Sequence, residues 1–474
     1  MNARLLPHSR PLRISVKSSY LRSARRTVHS TRRAQAIVSA APELQNVQPP
    51  SSQRPTSHPA TLSILPTSSV LRTYIITRMT SSPFLLNACF AVLTRMIESK
   101  STIFNVDKNP LLRYLFKRTF YAQFCAGENK AEVQQTIERV RGTGFNGVIL
   151  EYALEVLKGG DSSEARAAQE IAAWRKGMLE TVDMAKSGDF VALKWSGLGI
   201  QALQLLKANQ PATKPMWDAI IETCALAAKK GVYMLPGAEE ENMNDGIDSW
   251  SLALEKKYNR EAPGKAIVYN TYQAYLRSTP AKLAKHLAEA QRDGYTLGVK
   301  MVRGAYMASE PPSRIWSSKE ETDKIYDALV EALLKRQYND ILMPAPGATA
   351  SNFPQASLMI ASHNAESIQK AQEIRNGQAK RGEPSIECYY AQLQGMADEV
   401  SCELVQESRS PATHEKTVPP KAYKCATWGT VGECLAFLIR RAAENKDAAG
   451  RTMMTRKAMA QELIRRTKAL VGLA

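Results

Sequence analysis

Short apolar runs alternate with amphipathic helical segments from about residue 140 to residue 445 of this 474-residue chain. Strands repeat every two residues and helices every 3.6, so the two kinds of segment differ in pattern. The runs that predict strands are Gly147–Leu150, Phe190–Trp195, Val232–Leu235, Ala266–Tyr269, Thr296–Val302, Leu358–Ser362, Ile386–Tyr390 and Tyr423–Thr427. The segments that predict helices are Glu164–Lys186, Met216–Lys230, Ser249–Tyr258, Pro280–Asp293, Glu320–Tyr338, Ala365–Asn376 and Leu393–Glu407. About eight such units predict an α/β fold whose parallel sheet closes into a (β/α)8 barrel.

An open doubly wound sheet is the alternative. No complete G-x-G-x-x-G follows an early strand, and Gly197-Leu198-Gly199 lacks the third glycine. In a barrel, polar residues at the carboxyl ends of the strands line one mouth. The residues at those points are Lys194, Glu239, Gln273, Arg303, His363, Asn364 and Gln392. The sequence therefore predicts a site at this mouth.

The N-terminus is rich in arginine and free of acids. Residues 1–42 carry eight Arg and one Lys, and the first acid is Glu43. Subtracting these nine charges lowers the formal net charge from +18 to +9. This pattern predicts a mitochondrial transit peptide over residues 1–42. A basic arm for nucleic acid is the alternative, but few aromatic residues lie between the charges, and we expect no nucleic-acid partner.

The rest of the chain divides by composition. Pro and Ser clusters predict a linker over residues 43–66, followed by an N-terminal helical region at 67–140 and the barrel at 141–474. The seven cysteines form no CxxC pair and show no metal-like spacing with His, so no metal site is expected. The longest strongly apolar stretch, Phe84 to Leu93, is about half of what a spanning helix needs. It could pack against protein or lie on a membrane surface.

An apolar run near the C-terminus leads directly into two arginines. In the segment from Trp428 to Asn445, Arg440 and Glu444 stand four residues apart, so on a helix the acid can hold one guanidinium in place. Adjacent Arg440 and Arg441 suit a small carboxylate, because each guanidinium presents a planar fork that matches it. The alternative is that the arginines only complement the dipole at a helix end.

Seven motifs follow one another in the chain: FYAQFCAGEN (120–129), ALKWSGLG (192–199), VYNTYQAYL (268–276), VKMVRGAYM (299–307), ASHNAESI (361–368), AQLQGMADEVS (391–401) and WGT…LIRRAAEN (428–445). In this order and spacing they resemble the proline dehydrogenase (proline oxidase) family, especially its fungal members, and the resemblance covers roughly residues 104 to 470. The resemblance implies a distorted (β/α)8 barrel with an N-terminal helical region, which binds FAD without a Rossmann fold. It implies oxidation of L-proline to Δ1-pyrroline-5-carboxylate by hydride transfer to flavin N5. Electrons would pass to quinone, with the enzyme held peripherally on the matrix side of the mitochondrial inner membrane.

The resemblance also implies roles for individual residues. Lys194 and Arg303 would be the catalytic pair, with Arg303 near the flavin N5 edge. The residues implied to bind substrate are Arg440, Arg441, Glu444, Tyr306, Ala305 and Cys425. The residues implied to bind the flavin are Gln273, Arg303, Gly304, His363, Asn364 and Gln392.

Two positions depart from the family pattern. Gly237 stands where the family has Asp in an Asp-Ala-Glu sequence, and Cys425 replaces the second Tyr of Tyr-Lys-Tyr. Cys is smaller than Tyr and lacks its hydroxyl, which predicts a larger and less polar pocket wall. One alternative function is therefore the same chemistry on hydroxyproline or another cyclic imino acid. The lost carboxylate leaves a second alternative, a flavin-binding regulatory module without turnover.

Overall fold

The computed structural model describes residues 61–99, 101–154, 163–307, 309–347, 352–409, 417–444 and 449–472. The predicted transit peptide and most of the predicted linker lie outside these residues. The described strands are β1 Cys125–Gly127, β2 Gly147–Tyr152, β3 Phe190–Leu193, β4 Tyr233–Pro236, β5 Asn270–Gln273, β6 Leu297–Val302, β7 Ala356–Ala361, β8 Cys388–Leu393 and β9 Ala422–Trp428.

Helices precede the barrel, alternate with its strands and follow it. The described α-helices are α1 Thr67–Thr80, α2 Pro83–Glu98, α3 Pro110–Phe116, α4 Ala122–Phe124, α5 Lys130–Thr143, α6 Glu164–Met184, α7 Ile200–Lys207, α8 Lys214–Lys230, α9 Glu241–Tyr258, α10 Thr279–Asp293, α11 Lys319–Lys335, α12 Ala365–Arg381, α13 Asp398–Arg409, α14 Val431–Glu444 and α15 Ala449–Leu470. A π-helical turn, Lys117–Tyr121, joins α3 to α4. Glycines end some of these helices. Gly231 follows α8 and Gly294 follows α10, and both adopt the left-handed conformation.

Strands β2 to β9 pair in parallel in the spatial order β4-β3-β2-β9-β8-β7-β6-β5. The ring is nearly closed, because β4 meets the chain before β5 through a parallel bridge between Met234 and Val268. The small strand β1 pairs with β9 outside this ring. The distorted (β/α)8 barrel with an N-terminal helical region is thus confirmed.

One predicted strand was wrong in its position along the chain. Residues 266–269 were expected to form a strand, whereas β5 begins at Asn270. The side chain of Asn259 takes over the backbone groups of the earlier segment: its Oδ1 accepts from Ile267 N at 2.8 Å and from Val268 N at 2.9 Å. The predicted start of a helix at Leu393 was also wrong, because β8 extends to Leu393 and α13 begins at Asp398.

Aromatic side chains fill the amino-terminal end of the barrel lumen. Phe190, fully buried on β3, contacts the rings of Tyr233, Tyr269, Tyr389 and Tyr423, with ring centroids 4.7 to 5.8 Å apart. A larger apolar cluster packs the outside of the strands against the helices. The lumen is therefore closed by an aromatic floor at the end away from the carboxyl ends of the strands.

Candidate active site

A charged cluster lies inside the barrel just above this floor. Lys194 Nζ, directly after β3, lies 2.9 Å from Glu151 Oε1 on β2, and both side chains are about nine-tenths buried. Lys300 on β6 and Arg441 on α14 are close enough to act electrostatically on Glu151. We call Lys194, Lys300, Arg441 and Glu151 the inner cluster. It contains three basic groups and one acid.

The inner cluster shifts the titration of its members. Burial opposes the charge on Glu151, but Lys194 and Arg441 outweigh it and lower the pKa of this carboxyl to about 2. Burial lowers the pKa of Lys194; Glu151 partly offsets this, and Arg441 adds to it. Burial also lowers the pKa of Lys300. Glu151 is therefore ionised at neutral pH, while the two lysines give up a proton more easily than exposed lysines do.

Sequence reasoning missed Glu151 and Lys300. Both lie inside strands at positions whose side chains point into the lumen, Glu151 after Gly147 and Ile149 and Lys300 after Gly298. The available signal was a charged residue in an otherwise apolar strand, since a charge placed on the inner face of a barrel needs a partner or a function.

Helix α14 carries Arg440 and Arg441 in the same region. The ring of Phe437 lies between two cations, with Lys194 Nζ 4.4 Å and Arg441 Cζ 5.3 Å from its centroid. Arg440 and Arg441 are half-buried. The side chain of Glu444 lies outside the described part of the structure, so its predicted pairing with Arg440 remains a prediction.

Acidic side chains hold the amino-terminal end of α14. Val431 N donates to Glu128 Oε1 and Gly432 N donates to Asp107 Oδ1, each at 3.1 Å. Carboxylates stabilise this end of a helix, where backbone N–H groups lack helical partners. The arginine pair is thus carried by a helix that is anchored to the segment before the barrel.

The loop after β4 supplies a second carboxylate. Tyr306 donates its hydroxyl to Glu239 Oε2 at 3.0 Å. Burial raises the pKa of Glu239, although Tyr306 and Lys194 partly oppose this. A Cβ atom added at Gly237 would meet only Leu193 O, at 3.7 Å, so there is room where the family has Asp. Glu239 therefore supplies an acidic group near Lys194 in the region where the Asp is absent.

Cys425 and the residues around Tyr306 form other parts of the mouth. Cys425, on β9, faces the lumen opposite Ile149, and burial raises the pKa of its thiol to about 12. Ala305 is exposed, and Gly304 has a φ of +128° with the ring of Tyr275 so close that a Cβ would overlap it. The Cys425 thiol is therefore neutral and small.

Arg303 lies outside the strand ring. Its guanidinium donates to Asp323 Oδ1 at 2.6 Å, Ser362 Oγ at 2.7 Å and Ser367 Oγ at 2.8 Å. Its Cζ stands 4.1 Å from the centroid of the Tyr326 ring. We call Arg303, Asp323, Ser362 and Ser367 the outer cluster. Arg303 and Lys194 share the mouth but lie on opposite sides of the strands.

The predicted flavin-binding residues after β7 and on β8 lie beside the outer cluster. Asn364 caps α12 by accepting from Ser367 N at 3.2 Å, and His363 Nε2 accepts from Leu393 N at 3.1 Å. Gln392 donates to Ser362 O at 3.2 Å. Its Oε1 is buried and has no hydrogen-bond partner among the described residues. This acceptor is available to a ligand.

Gln273, at the end of β5, uses both ends of its amide within the protein. Its Nε2 donates to Glu239 O at 3.2 Å, and its Oε1 accepts from Asn244 Nδ2 at 3.0 Å. It thus holds the loop that carries Glu239. Within the described ranges, no group of three or more His, Cys, Asp or Glu is arranged to hold a metal ion.

Comparison with known proteins gives consistent matches. The family model described as "Proline dehydrogenase" matches residues 133–454. "Probable proline dehydrogenase, mitochondrial" of Schizosaccharomyces pombe is 29% identical over 415 residues, covering 76% of this chain and 80% of the relative. "Hydroxyproline dehydrogenase" of Bos taurus is 26% identical over 394 residues, covering 74% and 82%.

Solved structures show the same fold. Proline utilization A from Bdellovibrio bacteriovorus, inactivated by N-propargylglycine, superposes with a TM-score of 0.58 at 17% identity. The match covers 80% of this chain and 41% of that protein, so the chain spans about two fifths of that longer protein. At this identity the likeness concerns the fold.

Proposed function

This chain belongs to the proline dehydrogenase family, and on that premise we propose that it oxidises L-proline to Δ1-pyrroline-5-carboxylate with FAD as its cofactor. The observation that carries the proposal is the inner cluster. Three basic side chains lie near the carboxyl groups of Glu151 and Glu239 in a lumen with a closed floor, so basic groups outnumber acids. A buried excess of this kind suits the carboxylate of a small imino acid.

Arg440 and Arg441 would orient the substrate. Two guanidinium groups can hold a carboxylate in one direction, which fixes the ring carbon next to it. The ring of Phe437, close to both Lys194 and Arg441, adds an apolar wall beside these cations. Lys194 Nζ is the group best suited to exchange a proton with the substrate nitrogen, because its pKa is lowered by burial.

The residues outside the ring fit a dinucleotide cofactor. Arg303, one-fifth exposed, lies at the amino-terminal end of α12, where a helix favours phosphate. The buried Oε1 of Gln392 can accept a hydrogen bond from a ligand. FAD, when bound, supplies the two-electron acceptor for the oxidation. Arg303, Asn364 and Gln392 would hold it, while the floor excludes water from below.

The names of the relatives and the arginine-rich N-terminus support a mitochondrial location. We place the enzyme on the matrix side of the inner membrane, in peripheral contact with it, where the electrons would pass to a membrane quinone. Turnover with a short-chain quinone in place of a dye acceptor tests this electron route.

The reaction is tested by mixing the purified flavoprotein with L-proline under anaerobic conditions and following the visible absorbance of the flavin. Rapid bleaching with formation of the cyclic imine is the expected result. Flavin that stays oxidised with every imino acid tried would instead favour the alternative of a flavin-binding regulatory module. The intact inner cluster argues against that alternative.

Hydroxyproline is the second candidate substrate. Relatives named hydroxyproline dehydrogenase match about as well as several of those named proline dehydrogenase. Gly237 has room for a Cβ atom, and Cys425 is smaller than the Tyr of the family pattern. The test runs trans-4-hydroxy-L-proline and L-pipecolate beside L-proline, with Cys425→Tyr as the matched variant. If Cys425 makes room for substituted or larger rings, Cys425→Tyr should raise kcat/KM for proline relative to kcat/KM for the other substrates by about tenfold. An unchanged ratio would show that Cys425 does not determine the choice of substrate.

A further inference from the structure

Exposed large apolar side chains are concentrated before the barrel. Ten of them fall between residues 71 and 115 and five more between residues 453 and 471, whereas only Met307 and Met343 are comparably exposed among the described residues between these two regions. We call eight of the ten the apolar patch. They are Phe84, Leu85, Val92, Ile103, Phe104, Leu111, Tyr114 and Leu115. Soluble surfaces rarely gather so many large apolar groups in a short stretch, and such gatherings mark binding surfaces.

Helix α2 is apolar around most of its circumference. From Pro83 to Leu93 its only polar residue is Asn87. One side, which includes Leu93, Met96 and Ile97, packs into an apolar cluster. The opposite side exposes Phe84 at 79% and Val92 at 60%. A helix that is apolar on all sides has both faces covered in its working environment.

The loop and the short helix after α2 extend this surface. Ile103 is 65% exposed and Phe104 54%, while Leu111 on α3 is 64% exposed. Their neighbour Val106 is fully buried and points into the protein. The segment thus has an inner side that packs against the protein and an outer side that is available to a partner.

The charge around the patch is positive. Residues 61–118 contain eight Lys or Arg and two acids, Glu98 and Asp107. Arg113 and Lys117 share Glu128, which lies outside that segment. Apolar side chains among basic residues match a bilayer with anionic headgroups, since the apolar groups enter the acyl boundary and the cations meet the phosphates.

The patch adjoins the helix that carries the arginine pair. Leu93, Met96 and Ile97 of α2 share one apolar cluster with Leu435, Leu438 and Ile439 of α14. Whatever covers the outer side of α2 therefore lies one helix away from α14. This places the patch beside the barrel mouth rather than at the floor.

We propose that the apolar patch on α2 and α3 is a docking surface for an anionic lipid bilayer. The helices lie in the headgroup layer. In the described part of the chain no single helix can cross a bilayer by length and apolarity; only α1 and α2 taken together pass that test, bent by 104°. The inference rests on the peripheral membrane contact proposed above and assigns that contact to a surface. It does not depend on the proposed reaction.

The experiment uses the full chain with its cofactor and measures partition onto vesicles of phosphatidylcholine containing anionic phosphatidylglycerol. The patch variant is Phe84→Gln, Val92→Gln and Phe104→Gln combined, and the matched control is Met343→Gln, another exposed apolar residue. Binding is measured at low and at high salt, because salt screens the attraction of the basic N-terminus and leaves apolar insertion. Turnover with a soluble dye acceptor is measured in parallel.

We expect the parent and Met343→Gln to stay bound at high salt and the patch variant to lose about tenfold or more of its partition. Turnover with the dye should be equal in all three, which separates docking from the reaction. Equal binding of parent and patch variant at high salt, whether strong or absent, would overturn the proposal. So would a parent dimer that the patch variant cannot form and that does not bind vesicles, because a second copy would then be the occupant.

Discussion

The inner and outer clusters both lie at the carboxyl ends of the strands, yet their surroundings differ. Lys300 and Arg303 are three residues apart on and after β6, and side chains alternate between the two faces of a strand. Lys300 therefore faces the lumen, while Arg303 faces α11 and α12. The same strand end supplies one cation to the inner cluster and another to the outer cluster.

The difference lies in how each charge is balanced. Lys194 and Glu151 are enclosed by the barrel, and their cluster keeps an excess of positive charge. Arg303 is more exposed and has an acid and two hydroxyl groups as partners. We expect the inner cluster to govern substrate binding and chemistry and the outer cluster to govern cofactor retention. An inner-cluster variant that loses FAD, or an outer-cluster variant that binds the substrate more weakly, would contradict this assignment of roles.

Glu151→Gln should have the largest effect. It removes the carboxylate that pairs with buried Lys194 at 2.9 Å, which costs about 3 kcal/mol or more of the free energy of unfolding. Denaturant unfolding of the cofactor-free protein measures this. Glu138→Gln breaks an ion pair on the surface and serves as the control, with no resolvable change. Equal stability of the two variants would contradict the role given to Glu151.

The same substitution has a defined pH dependence. The pKa of Glu151 is lowered to about 2 in the folded protein. Its contribution is therefore fully present above the ordinary carboxyl pKa of about 4.3 and is lost as the pH falls toward 2. The gap in stability between parent and Glu151→Gln should shrink over that range. A gap that widens on acidification would show that the carboxyl is not held ionised.

Arg441→Met should come next. Loss of one charge-assisted contact to the substrate carboxylate costs about 1.5–3 kcal/mol, so kcat/KM for proline should fall by about 100-fold. FAD content should be unchanged. Arg260→Met, which changes an exposed arginine far from the mouth, is the control in steady-state assays. A fall in FAD content with normal kcat/KM per flavin would reverse the assignment.

Arg303→Met tests the outer cluster. We expect about tenfold weaker FAD binding and an unchanged KM for proline once FAD is saturating, because the guanidinium faces α12 and not the lumen. Titration of the cofactor-free protein by flavin fluorescence measures the first quantity. A raised KM at normal FAD affinity would place Arg303 at the substrate instead.

Asp323→Asn should have the smallest effect. Asp323 pairs with both Arg303 and Lys319, and the two serines continue to hold the guanidinium. The change in FAD affinity should correspond to less than about 1 kcal/mol, as is usual for partly exposed ion pairs. An effect as large as that of Arg303→Met would mean that Asp323 positions the arginine alone.

The strand–helix period predicted the barrel from sequence because periodicity directly reflects which face of an element is buried. Seven of the eight predicted strands overlap the observed ones. The exception, residues 266–269, depends on Asn259, whose side chain replaces a strand neighbour. A hydrogen bond from a side chain eight or nine residues away leaves no trace in the pattern of apolar and polar residues.

The site was predicted less completely. Residues at strand ends, such as Lys194 and Arg303, could be found because the barrel gathers strand ends at one mouth. Which side of the ring each one faces depends on where the strand ends, and a shift of one residue reverses the direction. Glu151 was missed because it lies inside a strand that otherwise reads as core.

The aromatic floor around Phe190 closes the amino-terminal end of the lumen. A molecule that reaches Lys194 from the mouth therefore leaves by the mouth as well, past the arginines of α14. Substrate and product then share one route, so we expect the product to leave before the next substrate molecule enters. The order in which substrate and product bind and leave is thus set at the far end of the lumen, by five aromatic rings that contact neither of them.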